Sequence, residues 1–377
     1  MRQSLSRENL YNVVQSENVE SVSLRQLDTW FRAEKGLEDF APDGACRIDP
    51  RDGSMVIYNA SRAKRPHDNR SEDTPLSPTK PCPICEGKTT GVVDVKPLSR
   101  GYTFINKNLF PCVFPFETSR MEGFHAPQHR SDSMVRGYHL LQWTSSEHHR
   151  DWHNMPVEDL IIVVDRLAAL EKQLLECGEG MPETGEWLGG NRKTNGFVSI
   201  IKNVGASVGG SLTHGHQQIV FGNAMPTGTF NNWKFQQSHG ETFSSYLQRE
   251  NSEGLMVHDL GEAVVLIPYF MKRPFFSMLL IKDTEKQYLY DLTAEERRAV
   301  AIGWKTLTAA FTDMLPKMGR EVAYNVLVHT GPGAGLYLEF LPFTQETGGY
   351  EQLGLWVCQG DPVVSTGILK KYFASLK

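Results

Sequence analysis

The sequence has little of what marks a membrane, secreted or nucleic-acid-binding protein. It contains no apolar run near the roughly 18 residues that a membrane-spanning helix needs, and its opening residues lack the apolar centre of a signal peptide. Its six cysteines are too few for a disulfide framework in 377 residues. A formal charge of -5 gives no general attraction to nucleic acid or to an anionic membrane. These absences predict a cytoplasmic enzyme with no nucleic-acid or membrane partner.

What is present suits a globular protein with a sizeable core. The chain is 40% hydrophobic and 22% charged. Its length allows two domains of ordinary size, or one large domain with an internal duplication.

Two parts of the chain repeat the same order of elements: helix, strand, glycine loop, strand. The first lies around 156–221 and the second around 293–343. This order predicts an α+β fold built from two related units, each an antiparallel sheet with a packed helix. We expect a polar helical extension over 1–44, a first unit over 45–225 and a second over 226–377.

The two helices of this repeat carry start and stop signals. The first follows "HNMPVEDL", where Asn154 or a neighbour caps it, Pro156 suits the first turn and Gly178 ends it. In the second, Thr293 and Glu296 have the spacing of a capping box. We expect "FVSIIKN" and "HQQIVFG" to be paired strands around the first glycine loop.

Cys82 and Cys85, in "KPCPICEGK", are the only cysteines close together in sequence. The spacing is typical of half a zinc site or of a redox pair. The surrounding prolines and charged residues do not resemble the βαβ setting of a redox pair, so zinc is favoured. Two cysteines with no joint role stay an alternative until other ligands are found.

The stretch "GASVGGSLTHGHQQIV" combines four glycines with two histidines. The glycines allow positive φ angles and a close approach of backbone amides to phosphate. His214 and His216 share one face of a strand, and Gln218 continues that face. One histidine can therefore bind a metal or orient the other, while the second meets a substrate. The alternative is a pair of polar side chains on an exposed strand.

Several segments together identify a family. "HGHQQ" is similar to the H-x-H-x-Q motif of the galactose-1-phosphate uridylyltransferase branch of the histidine-triad (HIT) superfamily. The other segments that resemble this family, in order, are "CRIDPRDGSMVIYNASRAKRP", "CPIC", "FINKN", "SSEHH", "IPYFMKRPFFSMLLIK", "YNVLVHT", "YLEFLP" and "GGYEQLG". The resemblance covers about residues 45 to 365, and it implies duplicated HIT-like units and a nucleotidyl-transfer reaction.

The resemblance also implies roles for individual residues. His216 would be the nucleophile that becomes nucleotidylated, and Gln218 would hydrogen-bond the phosphoryl oxygens. Ser211 would donate to the same phosphates, and Arg62 and Arg65 would clamp them. The alternative for the two arginines is a solvated basic surface.

The metal set implied by the resemblance is Cys82, Cys85, His148 and His214, a closed Cys₂His₂ zinc site. His149 is the alternative to His148. The remaining histidines of this part of the chain are expected to be ordinary polar residues: His125, His129, His139 and His153.

Further residues resemble those that contact the substrate. Asn106 and Lys107 would contact the nucleoside, and Asn203 the sugar or nucleotide. Tyr350 and Glu351 would face the hexose. The alternative for each is a structural role, because polar residues at strand ends have many uses.

One departure concerns a second metal site that some family members hold in the second unit. Tyr337 and Glu339 stand where those members have an H-x-H pair, so no second metal is expected. The predicted reaction exchanges a nucleotide between a nucleoside-diphosphate hexose and a hexose 1-phosphate. An alternative is a phosphorylase that splits ADP-glucose or a dinucleoside polyphosphate with inorganic phosphate. Less favoured is a non-catalytic nucleotide-binding protein. The family usually forms homodimers, so a homodimer is expected.

Overall fold

The computed structural model describes residues 3–42, 44–49, 51–66, 81–115, 133–178, 181–185, 188, 190 and 192–374. His125, His129 and most of the Pro/Ser-rich stretch before Cys82 lie outside these residues. Among the described helices, none has both the length and the apolar character that crossing a membrane demands.

Thirteen strands are found in the described residues, and they form two sheets. The smaller sheet has the order β2-β1-β5 and consists of β1 (Ala45–Ile48), β2 (Met55–Ile57) and β5 (Ser133–Met134). The first half of the chain also supplies β3 (Val92–Pro97), β4 (Tyr102–Lys107), β6 (Gly137–Trp143), β7 (Phe197–Val204) and β8 (His216–Gly222). The second half supplies β9 (Met256–Asp259), β10 (Ala263–Leu266), β11 (Ser277–Ile281), β12 (Tyr324–His329) and β13 (Tyr337–Pro342).

The larger sheet is continuous across both halves. Its order is β3-β4-β6-β8-β7-β12-β13-β11-β10-β9, so five neighbouring strands come from each half. All pairs are antiparallel, and β7 joins β12 with Asn203 opposite Asn325. The predicted α+β class is confirmed, while the boundaries at 44/45 and 225/226 stay predictions.

Eight α-helices accompany the sheets in the described part of the chain: α1 (Arg7–Tyr11), α2 (Leu24–Ala33), α3 (Val157–Glu176), α4 (Thr227–His239), α5 (Phe243–Glu250), α6 (Ala294–Lys317), α7 (Gly349–Gln352) and α8 (Pro362–Ala374). The long helices α3 and α6 pack against each other. Arg297 of α6 pairs with Asp165 of α3 at 2.9 Å. Trp152, just before α3, stacks on Trp304 of α6 with ring centroids 3.9 Å apart.

Of the two helix starts predicted from the sequence, the structure has the predicted cap at α6 and a different arrangement at α3. Thr293 and Glu296 form the predicted capping box of α6. At α3 the N-cap position is Pro156, which has no capping side chain. Asn154 instead donates to the carbonyl oxygen of His149 and accepts from the amide of Asp151. Its side chain therefore closes the preceding turn.

The N-terminal segment, residues 3–40, is built into the core of the first half. Leu10, Phe31 and Leu37 are completely buried. The amide of Val92 at the start of β3 donates to the carbonyl of Val13 at 2.9 Å. Phe31 meets the ring of Tyr138 on β6 edge-on, with centroids 5.2 Å apart. Removing these contacts would expose apolar surface on the sheet.

Phe31→Ala should lower the free energy of unfolding by about 3–5 kcal/mol, because it leaves a cavity under Tyr138. Arg25→Ala on the exposed face of the same helix is the matched control. Urea unfolding followed by circular dichroism measures both. Equal stability of the two variants would mean that α2 does not belong to the folded core.

Candidate active site and metal centre

Four side chains converge where the loop after β6 meets the start of β8. The ligand atoms of Cys82, Cys85, His148 and His214 all lie within 4.8 Å of one another. His214 Nδ1 is 3.6 Å from Cys82 Sγ and 3.5 Å from Cys85 Sγ. A tetrahedral zinc ion with ordinary bond lengths separates sulfur and nitrogen ligands by about 3.6 Å. The cluster therefore has the composition and spacing to hold a metal ion.

The surroundings of the cluster support metal binding. The Nε2–H of His214 donates to the carbonyl oxygen of Ser145 at 2.8 Å, which leaves Nδ1 unprotonated and facing the sulfurs. Burial and the neighbouring Cys82 raise the pKa of the Cys85 thiol to about 12. A buried thiolate pair needs a cation to be stable at neutral pH. His148 belongs to the cluster and His149 does not.

His216 is the first residue of β8, two residues beyond His214. It pairs with Trp143 on β6, and the two rings lie 4.8 Å apart. Its Nδ1–H donates to the carbonyl oxygen of His214 at 2.8 Å. Burial, and then the charge of Lys202, lower the pKa of His216 to about 4 against the opposing effect of this hydrogen bond. The ring is therefore neutral near pH 7 with its lone pair on Nε2.

A buried ion pair lies under this part of β8, on the opposite face of the sheet. Lys202 of β7 is 2.8 Å from Asp151, and its ammonium also donates to the carbonyl oxygen of His216 at 3.2 Å. Burial alone would raise the pKa of Asp151, but Lys202 outweighs it and the pKa is lowered. Through the hydrogen bond from Lys202, the pair holds the backbone of His216 in position.

A cavity of about 390 Å³ opens above His216. It is lined by side chains from β4, β6, β8, the glycine loop, the segments around residues 65, 83–90 and 109, and the end of the N-terminal segment. The residues that line it include His216, Gln218, Ser211, Arg65, Asn106, Lys107, Glu34, Trp143, Leu141 and Phe110. The volume of the cavity, and its lining of both polar and apolar side chains, suit a small organic ligand.

Gln218 sits two residues after His216 on the same face, opposite Leu141. Its Oε1 is 3.2 Å from Nε2 of the buried His139. The amide of Cys112 donates to His139 Nδ1 at 3.1 Å, and Nε2 also lies 3.0 Å from Nδ2 of Asn108. Burial, and then the charge of Arg62, lower the pKa of His139 to about 3. The amide of Gln218 therefore lies between the buried His139 and the cavity.

The structure brings six of the predicted catalytic and substrate-binding residues to this cavity: His216, Gln218, Ser211, Arg65, Asn106 and Lys107. Two of them also have firm protein partners. Asn106 donates to Thr89 at 2.6 Å and accepts from the indole of Trp143. The ammonium of Lys107 is buried against Glu34 at 2.6 Å.

Four predicted residues do not line the cavity. Arg62 donates to the carbonyl oxygen of Phe110 at 2.6 Å, so it contacts a lining residue without lining the cavity itself. Asn203 shares the face of His216 but accepts from Asn325 at 2.7 Å. Tyr350 and Glu351 lie on α7, where Tyr350 is 67% exposed.

In the second half, the corresponding strand ends hold no H-x-H pair. Glu339 is 2.9 Å from His329 Nε2, and the hydroxyl of Tyr337 donates to Asn232 at 3.0 Å. Among the described His, Cys, Asp and Glu residues, the first-half cluster is the only group of three or more with ligand spacing. The expected lack of a second metal stays a prediction.

Curated relatives cover most of the chain. ADP-glucose phosphorylase from Arabidopsis thaliana is 22% identical over 337 residues, which is 84% of this chain and 88% of that protein. Galactose-1-phosphate uridylyltransferase from Haemophilus influenzae is 24% identical over 339 residues, 82% of this chain and 88% of that protein. No family model matches the sequence.

A solved uridylyltransferase structure has the same fold, with a TM-score of 0.66, 18% identity, and coverage of 88% of this chain and 99% of that one. Over most of its length this chain is therefore similar to galactose-1-phosphate uridylyltransferases and to an ADP-glucose phosphorylase. The family resemblance in the sequence is thereby confirmed. The roles of individual residues remain to be tested.

Family motifs did not reveal three residues that the structure places at the site. His139 was expected to be an ordinary polar residue, but it contacts Gln218. Lys202 was not singled out, and neither was Glu34 in the N-terminal segment. In each case the decisive partner lies far away in sequence, so no local spacing identifies it.

We expect about one metal ion per chain of this protein. Cys82→Ser and His214→Ala should each reduce the metal content and lower the melting temperature, because metal binding contributes to folding. Cys177→Ser is the control, since Cys177 is exposed and outside the cluster. Elemental analysis measures the ion, and unchanged metal in both cluster variants would contradict the assignment. Comparing the metal content of His148→Ala with that of His149→Ala shows which of the two histidines is a ligand.

Proposed function

We propose that this protein transfers a nucleotide from a nucleoside-diphosphate hexose to a second phosphate, through a nucleotidyl group on His216. The observation that carries the proposal is the state of His216. Its Nδ1–H is held by the carbonyl of His214, and no described residue hydrogen-bonds to Nε2, which borders the cavity. Such a neutral imidazole is ready to act as a nucleophile.

In the first step, His216 Nε2 attacks the α-phosphorus and forms a P–N bond. The bond from this phosphorus to the bridging oxygen breaks, and a sugar 1-phosphate leaves with the electron pair. The ring becomes a nucleotidyl-imidazolium whose Nδ1–H still donates to His214. The carbonyl oxygen therefore stabilises the positive charge that develops on the ring.

The phosphoryl oxygens lie within reach of donors that border His216. Arg65 offers a charged donor fork, Ser211 a hydroxyl, and Gln218 the NH₂ group of its amide. In the second step a phosphate oxygen of the acceptor attacks the same phosphorus and the P–N bond breaks. His216 returns to its neutral form, so neither step requires a proton from the protein.

The proposed function has two versions, which differ in the compound that accepts the nucleotide. The leading version uses a hexose 1-phosphate, as in a uridylyltransferase. The runner-up uses inorganic phosphate, and it is favoured by the similarity to a relative named ADP-glucose phosphorylase. Tyr350 and Glu351, predicted to face the hexose, do not reach the cavity of their own chain.

A homodimer is part of the leading version. The surface around Tyr350 holds further apolar side chains that are at least 57% exposed, Leu353, Leu355 and Val357. A second copy is our proposed cover for this surface, in line with the dimer predicted from the sequence. A cytoplasmic location also remains a proposal.

Zinc is the proposed ion of the cluster, because two thiolates and two imidazoles form one of its preferred ligand sets. With all four positions supplied by protein, the ion would have a structural role. Cys82, Cys85, His148 and His214 would hold it, and His214 would thereby fix the strand that presents His216.

Labelled nucleotide should remain on the protein after incubation with a nucleotide sugar alone, and initial rates with two substrates should follow ping-pong kinetics. The label should be released in mild acid, because a phosphoramidate is acid-labile. His216→Ala should trap none, while His239→Ala, a change on the exposed end of α4, should trap as much as wild type. Pairing UDP- and ADP-sugars with phosphate or sugar 1-phosphates identifies the substrates. No trapped label, with intersecting rate plots, would remove His216 from the mechanism.

Gln218→His should raise the ratio of hydrolysis to transfer, because imidazole titrates near neutral pH and can assist water. Gln218→Ala should slow both reactions about tenfold or more, since it removes a donor to the phosphoryl oxygens. The measurement compares free with transferred nucleotide in both variants and wild type. If the histidine variant leaves the partition unchanged, Gln218 does not decide between water and phosphate.

A further inference from the structure

The N-terminal segment contributes one end of the cavity. Glu34 follows α2 directly, and both Glu34 and Lys35 are among the lining residues. The segment is anchored on either side of this point by the buried Phe31 and Leu37. Glu34 is thus held at the cavity by packed core residues.

Glu34 contacts Lys107 at the end of β4 and Gly91 just before β3, whereas His216 lies on β8, two strands beyond β4. Asn106 on β4 pairs with Leu141 on β6, which pairs with Gln218 on β8, so the floor crosses these strands. Glu34 accepts a hydrogen bond from the amide of Gly91, beside the start of the edge strand β3. With about 4.8 Å between neighbouring strands, the floor extends for about 10 Å from β8 through β6 to β4.

The side chains between the two ends suit the planar base of a nucleotide. Trp143, Leu141 and Phe110 present apolar surface along the cavity. A phosphate held at His216 by Arg65 would direct the nucleoside along this surface toward Glu34. The sugar 1-phosphate would then leave on the other side of the phosphorus.

The carboxylate of Glu34 has one oxygen committed and one available. Its Oε2 accepts from Lys107 at 2.6 Å and from Gly91 at 3.0 Å. Gln15 accepts another proton of the same ammonium at 2.6 Å. No described residue donates to Glu34 Oε1, and the side chain is 16% exposed. An ionised carboxylate accepts and cannot donate, so its ligand must bring an O–H or N–H group.

We propose that Glu34 is a specificity-determining residue, whose Oε1 accepts a hydrogen bond from the nucleoside of the bound nucleotide. The donor is a ribose hydroxyl or a base N–H. The inference rests on the proposed function, because it takes the α-phosphate to lie at His216. The N-terminal segment then helps to select the substrate in addition to stabilising the fold.

The test must separate a contact of Glu34 with the nucleoside from the ion pair of Glu34 with Lys107. Glu34→Gln alone leaves the buried ammonium without its counter-charge and can unfold the protein. We therefore compare Lys107→Met with the double variant Glu34→Gln, Lys107→Met, which differ only in the carboxylate. Glu38→Gln, an exposed acid outside the cavity, controls for the change in net charge. Thermal melting establishes that each variant is folded.

Isothermal titration measures dissociation constants for UMP, AMP, GMP, CMP and 2′-deoxy-UMP. The double variant should bind the preferred nucleotide about tenfold or more weakly than Lys107→Met, as expected for a lost hydrogen bond to a charged group. Glu38→Gln should bind like wild type. A loss confined to discrimination against 2′-deoxy-UMP assigns the ribose, and a changed order among the four bases assigns the base.

Two results would overturn the inference, and they can be told apart. If the double variant and Lys107→Met bind every nucleotide within twofold of each other, Glu34 serves only to pair with Lys107, and the proposed function stands. If the wild type binds none of the nucleotides, the proposed function fails and the inference fails with it.

Discussion

The backbone from His214 to His216 is the part of the molecule whose position the site depends on most. The ring of His214 is held in the cysteine–histidine cluster, and its carbonyl oxygen accepts from His216 Nδ1. From the other face, Lys202 donates to the carbonyl of His216. A nucleophile must be placed within a fraction of an ångström to react efficiently, and these three contacts hold His216, the proposed nucleophile, in position.

This packing also explains the glycine between the two histidines. A Cβ atom at Gly215 would lie 2.4 Å from the carboxyl carbon of Asp151. Asp151 cannot readily move away, because it is paired with the completely buried Lys202. The glycine of "HGH" is therefore required by the ion pair packed against it.

The sequence predicts elements well where the signals are local. The strands β7 and β8 and the capping box of α6 are found where spacing places them. The members of the metal cluster were implied by the family motifs, and the fold brings them together. Local patterns fail where the partner is distant: Asn106 and Lys107 have family-like positions, yet both side chains are engaged with protein groups. Only the folded chain shows that Glu34 lies beside Lys107 and that His139 lies beside Gln218.

In the proposed mechanism, the distribution of charge in the cavity favours a lasting nucleotidyl intermediate. Among the described lining residues, Glu34 is the only carboxylate, and it contacts Lys107 on β4, two strands away from His216 on β8. His139, the other imidazole next to Gln218, has its pKa lowered to about 3 by burial and then by Arg62, so it stays neutral. Under this proposal, water near the phosphorus would meet donors such as Arg65 and Gln218 but no base to take its proton. A phosphate acceptor carries its own anionic oxygen and is drawn by the same donors, so the groups that protect the intermediate from water also guide its transfer.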